Sequence, residues 1–138
     1  MKYWLLKSEP SDWSWDDQKA KGAEGEPWTG VRNYQARNMM REMALGDLAL
    51  FYHSQSEKAC VGIVEVIHEA HPDPTDDSGK WDCVTVKAVR DLLRPVTLAE
   101  LKDDPRCADM PLVNRPRLSV QPVSAAEWAV IEERAAED

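Results

Sequence analysis

Trp28 lies between Pro27 and Thr29-Gly30, in a run of turn-forming residues that begins at Gly25. Neither a helix nor a strand would carry it into a core there. An indole presented by a loop can stack on a nucleobase, an interaction worth about 1–3 kcal/mol per base. The competing role is to plug one end of the core, as Trp4, Trp81 and Trp128 are expected to do. Lys7 and Ser8 close the first apolar run, and main-chain groups at a strand end are available to a ligand's polar edge. The Ser8 hydroxyl is equally placed to open the turn before Pro10. Asn33 presents a donor and an acceptor that match an amide-like base, and also the acceptor that caps a helix. One side chain cannot fully serve both roles.

Tyr52, His53 and Ser54 invite a reading as base and nucleophile, yet neighbours on a strand point to opposite faces. All three are instead expected among the residues of a base-binding pocket, His53 facing it together with Phe51, with a satisfied core histidine as the alternative. Arg32, Arg117 and Ser119 are candidates for phosphate contacts at the mouth of such a pocket, whereas Arg37 reads as solvated surface charge.

Other chemistry is poorly supported. His68 and His71 have a ligand-like spacing, but Pro72 argues against a helix that would bring both to one face. The stretch Asp73-Pro74-Thr75-Asp76-Asp77-Ser78-Gly79 is rich in oxygen but lacks the distal glutamate of a calcium loop, and it reads as an exposed turn. Cys60, Cys83 and Cys107 are odd in number and form no C-x-x-C pair, which predicts buried, reduced thiols. No metal and no cofactor are expected. Hydrolase signatures of the G-x-S-x-G or H-E-x-x-H kind are absent from the sequence.

The elements that must position these residues follow from pattern. Residues 2–7 read as a first strand, and Ser14 with Asp17 as a capping box for a short helix reaching Ala20. Asn33 caps a second helix to about Leu45. Residues 47–54 and 60–67 form a hairpin, and 82–90 a further strand broken at Arg94-Pro95. Thr97 with Glu100 opens another short helix, 112–120 is a last extended segment, and Ser124 with Glu127 starts a final helix. The sum over 138 residues is a single α+β domain, 1–138, with strands in the middle and short helices around them. The formal charge of −8 opposes general affinity for nucleic acid. Its uneven spread, with Arg32, Arg37 and Arg41 in one acid-free stretch and Arg115 and Arg117 in another, leaves room for a basic rim on an acidic body.

Six phrases in one order tie these observations together: Tyr3-Trp4-Leu5-Leu6-Lys7-Ser8-Glu9-Pro10, the run from Trp28 to Asn38, Gly46-Asp47 leading to Phe51-Tyr52-His53-Ser54, Val61-Gly62-Ile63-Val64-Glu65-Val66, Arg94-Pro95-Val96-Thr97-Leu98 and Arg117-Leu118-Ser119-Val120. In these the chain resembles the EVE domain family, whose fold is PUA-like and related to the YTH domains. The resemblance implies a pseudo-barrel of about five to six strands with short peripheral helices. It also implies a non-catalytic reader of a modified base, cytosine or adenine, in DNA or RNA; it favours stacking for Trp28 and makes Val31, Tyr52 and Leu6 candidates for burying the methyl or hydroxymethyl group that the base carries. The partner expected is nucleic acid carrying that base, bound by a cytoplasmic monomer that does not enter a membrane. Two alternatives compete. One is a nucleic-acid-processing hydrolase, which would require a lysine, a glutamate and an arginine to converge on a cleft. The other is an adaptor whose acidic surface binds basic proteins.

Overall fold

The computed structural model describes residues 1–55 and 57–136. Of the expected span, Ser56, Glu137 and Asp138 lie outside the described residues. Six strands form one mixed sheet: β1 (Tyr3–Ser8), β2 (Glu26–Pro27), β3 (Leu48–His53), β4 (Ala59–Pro72), β5 (Asp82–Thr97) and β6 (Val120–Val123). Their order in the sheet is β2-β5-β4-β3-β1-β6, with β1 and β3 parallel and the other neighbours antiparallel. The helices are α1 (Trp15–Ala20), α2 (Tyr34–Glu42), α3 (Leu98–Lys102), α4 (Pro111–Asn114) and α5 (Ala125–Ala135). None of the described helices is long and apolar enough to cross a membrane.

The strands carry apolar side chains on both faces, so the sheet is buried on both sides. Alternation along β1 sends Trp4 and Leu6 to one face and Leu5 to the other. Ala49 and Phe51 on β3 join the first set, and Leu50 and Tyr52 the second. The first face is covered by α1, α2 and the Trp28 loop, and the second by α3, α4 and α5 with Trp128 and Ile131. Gly62 on β4 lets α1 approach the sheet, because a methyl built on its backbone would overlap the Trp15 indole.

Local signals explain most element ends. Ser14/Asp17, Thr97/Glu100 and Ser124/Glu127 each form a reciprocal capping box, as expected from their spacing. Three expectations are corrected. Arg94-Pro95 does not end β5, which continues to Thr97. Between Gly62 opposite Asp91 and Cys60 opposite Val96 the register slips, and Pro95 sits in that bulge, where the ladder demands no N–H from it. Residues 112–120 are not one extended segment. Pro111 opens the single-turn helix α4, a position where a missing N–H costs nothing, and β6 begins only at Val120. The second helix also stops early, at Glu42.

Candidate functional site

A hollow of about 470 Å³ opens at the end of β1, between the loop that follows it and the loop that links β2 to α2. Its size falls in the range of roughly 300–1,000 Å³ usual for small-molecule sites. Among the residues expected to act together, Lys7, Ser8, Trp28, Val31, Arg32 and Ser119 all line it. β1 delivers Lys7 and Ser8, and the Lys7 amide donates to the Ser119 carbonyl at 2.9 Å, which clamps Ser119 alongside. The main-chain N–H of Lys7 is therefore already used. The Ser8 hydroxyl donates to the Trp13 carbonyl at 2.6 Å and so serves the turn. Burial lowers the pKa of the Lys7 ammonium from its ordinary value. That ammonium donates to the Pro116 carbonyl at 2.7 Å and lies 5.9 Å from the centre of the Tyr52 ring.

Trp28 is 8% exposed, and its ring meets Phe51 edge-on at 5.5 Å between centroids. It thus belongs to the core and to the wall of the hollow at once. The Trp28 amide donates to the Val84 carbonyl at 2.7 Å, fixing the loop to β5. Its indole N–H has no acceptor among the described residues and is not sealed from solvent. Trp13 supplies a second indole to the wall, held by its own N–H donated to Gln18 at 2.9 Å. Glu9, Asp12 and Glu26 add carboxylates. Trp13 was not anticipated, although it stands in a turn, between Asp12 and Ser14, much as Trp28 does.

Behind the loop lies Asp73, which the sequence places in an exposed turn and the structure buries at 2% exposure. Its carboxylate accepts from Gly30 N–H at 2.9 Å and Arg32 Nη1 at 3.1 Å through one oxygen. The other oxygen accepts from Thr75 N–H at 2.7 Å and Thr75 Oγ1 at 2.6 Å. Burial alone would push the Asp73 carboxyl up, but the bonds from Thr75, Gly30 and Arg32 outweigh it and hold it down to about 2. Gly30 takes φ of +84°, a backbone state that glycine adopts without strain. Arg32 also donates to Thr75 Oγ1 at 3.1 Å, so it is a braced part of the rim.

Asn33, Tyr52, His53, Ser54 and Arg117 lie outside this hollow. The Asn33 oxygen accepts from Ala36 N–H at 2.9 Å, so its capping role prevails over contact with the hollow. Tyr52 is buried on the opposite face of the sheet, as the alternation of β3 requires. Of the three residues expected to bury a modifying group, Val31 alone lines the hollow. His53 packs edge-on against Phe51, its Nε2 accepts from Trp15 N–H at 3.0 Å, and its Nδ1 lies 2.6 Å from Glu57. It is a satisfied structural histidine. Ser54 ties the end of β3 to β1 by donating its N–H to the Ser8 carbonyl at 2.9 Å. Arg117 borders a second hollow of about 400 Å³, together with Asn33 and Arg115. Among the described residues, His68 and His71 join no group of three metal-ligating side chains.

A model of the EVE domain matches residues 2–134, and the chain belongs to that family. Human thymocyte nuclear protein 1 is 37% identical over an alignment 158 positions long, which takes in 91% of this chain and 70% of that one. The solved structure of human THYN1 protein in complex with DNA containing 5-methylcytosine superposes with a TM-score of 0.92 at 33% identity, covering 100% of this chain and 99% of that one. A solved protein from Agrobacterium tumefaciens is 52% identical with a TM-score of 0.97, covering 99% and 94%. A YTH domain of Zygosaccharomyces rouxii, solved with N6-methyladenosine RNA, shares the fold at a TM-score of 0.60 and 15% identity over 99% and 85% of the two chains.

Proposed function

We propose that this EVE domain is a non-catalytic reader that receives one modified nucleobase, a cytosine or an adenine, in the hollow walled by Trp28 and Trp13. The carrying observation is that Trp28, anchored to the core, lines a base-sized space, and that its indole N–H has no acceptor among the described residues. Stacking on such a ring contributes about 1–3 kcal/mol, enough to offset part of the cost of drawing a base out of a strand. Carboxylates of Glu9, Asp12 and Glu26 suit the exocyclic amino groups of cytosine and adenine, which donate, and do not suit the carbonyl of thymine. An added methyl group buried against Val31 gains on the order of 0.8 kcal/mol, which gives a preference of a few fold. The human relative's complex with 5-methylcytosine DNA supports the same assignment.

The test is a titration of oligonucleotides carrying plain and modified cytosine or adenine, repeated with Trp28→Ala. A preference of a few fold for one modified base, lost in the variant, is expected. Equal binding to all of them, or binding indifferent to Trp28, contradicts the reading.

One observation favours a second reading. Lys7, Glu9 and Arg32 do line the same hollow, the trio that a hydrolase would need. Their commitments weigh against it: Lys7 is tied to Pro116, and Arg32 to Asp73 and Thr75. Turnover of RNA or DNA that disappears in Lys7→Ala would establish catalysis over reading.

A further inference from the structure

We infer that the second hollow receives the nucleotide adjoining the one whose base enters the first, so that the ligand recognised is a stretch of strand rather than a free nucleoside. The inference rests on reading the first hollow as a base pocket. The two spaces share a partition: Val31 and Arg32 face one side and Asn33 the other, while Ser119 faces the first and Arg117 and Leu118 the second. Lys7, from the first, reaches across to the carbonyl of Pro116 in the second. At about 400 Å³ the second hollow has room for a nucleotide-sized group.

Charge sets the direction. The first hollow carries Glu9, Asp12 and Glu26 against Lys7 and Arg32, and Arg32 is committed to Asp73, so the balance on its wall disfavours a phosphate leaving that way. The second is lined by Arg115 and Arg117 and by no carboxylate, on a chain of net charge −8. Arg117 is exposed and makes no hydrogen bond or ion pair among the described residues. Arg115 is oriented by a bond to the Gln35 side chain, and Asn33 spends its oxygen on the helix cap, leaving its amide hydrogens unpaired among the described residues. Two guanidinium groups with no carboxylate beside them match a sugar–phosphate backbone, which presents anionic acceptors.

The experiment compares the whole chain's affinity for 5-methyl-2′-deoxycytidine and for a trideoxynucleotide with 5-methylcytosine at its centre, over a range of salt. The trinucleotide is expected to bind at least about tenfold tighter at low salt, with log affinity falling by about 0.7 per log unit of salt for each phosphate engaged. Arg117→Gln should cut the ratio of trinucleotide to nucleoside affinity by about tenfold and reduce the salt slope by about 0.7, and Arg117→Lys should restore the slope. Equal affinity for nucleoside and trinucleotide, or a ratio and slope untouched by Arg117→Gln, overturns the second hollow as a subsite and leaves the base pocket standing. Trinucleotide binding without nucleoside binding, and indifferent to Trp28→Ala, overturns the base pocket instead. No binding of either overturns both.

Discussion

Replacing Asp73 by asparagine should loosen the rim of the hollow from behind, with every residue that lines it left unsubstituted. The side chain is buried, and its two oxygens serve two pairs of donors: Gly30 and Arg32 on one side, the N–H and hydroxyl of Thr75 on the other. Asparagine can accept on one side only, so whichever way it turns its amide, two donors lose their acceptor and face an N–H. Holding the carboxyl from 3.8 down to about 2 corresponds to roughly 2.4 kcal/mol in favour of the ionised form. Adding the cost of stranded buried donors, Asp73→Asn should destabilise the fold by about 2–4 kcal/mol. Freeing Gly30 to sample other conformations requires about 1–2 kcal/mol of re-ordering on binding, hence about 5- to 30-fold weaker affinity for a modified base. Urea denaturation measures the first quantity and a binding titration the second. The linkage has a definite sign. Because the folded pKa is depressed, this group's stabilisation is present above pH 3.8 and is lost as pH falls through about 2. The stability gap between wild type and variant should therefore narrow from pH 4 to pH 2. A variant as stable as wild type at pH 7, or one that binds equally well, would refute the reasoning.

Two further outcomes are expected. Gly62→Ala should cost about 1–3 kcal/mol or more in urea denaturation, since its methyl overlaps the Trp15 indole, which is itself fixed by a 2.6 Å bond to Asp91; unchanged stability would mean that α1 does not rest on that glycine. Burial, followed by Cys107, pushes the Cys60 thiol up to about 12, and burial with Asp73 and Asp82 pushes Cys83 up to about 11. Iodoacetamide at pH 8 should therefore modify neither until the chain unfolds, whereas rapid stoichiometric labelling of native protein would contradict their placement.

The elements were largely legible because their signals are local. Each capping box needs two residues three apart, and β1 needs only its own run of apolar side chains. The lining of the first hollow was legible where family phrases and strand ends coincide, at Lys7, Ser8, Trp28 and Val31–Arg32. It was not where the deciding partner is distant. Asp73 looks like any turn acid until Gly30, 43 residues away, is found beside it. Pro95 looks like a strand breaker until the bulge opposite Cys60 and Gly62 absorbs it. Asn33 had two local roles available, and the helix claimed the oxygen. For His53 the alternation of a strand gave the right face, since it packs on Phe51, but could not reveal that Trp15 and Glu57 already occupy its two nitrogens.

The measurement closest to the central claim is the ¹H–¹⁵N signal of the Trp28 indole during titration with 5-methyl-2′-deoxycytidine. The chain has six tryptophans, and Trp28→Phe assigns the resonance. The account predicts that this signal moves to saturation with the ligand, while those of Trp4, bonded to Asp47, and of Trp128, on the far side of the sheet, stay in place. Saturable binding that leaves the Trp28 signal where it began would contradict it.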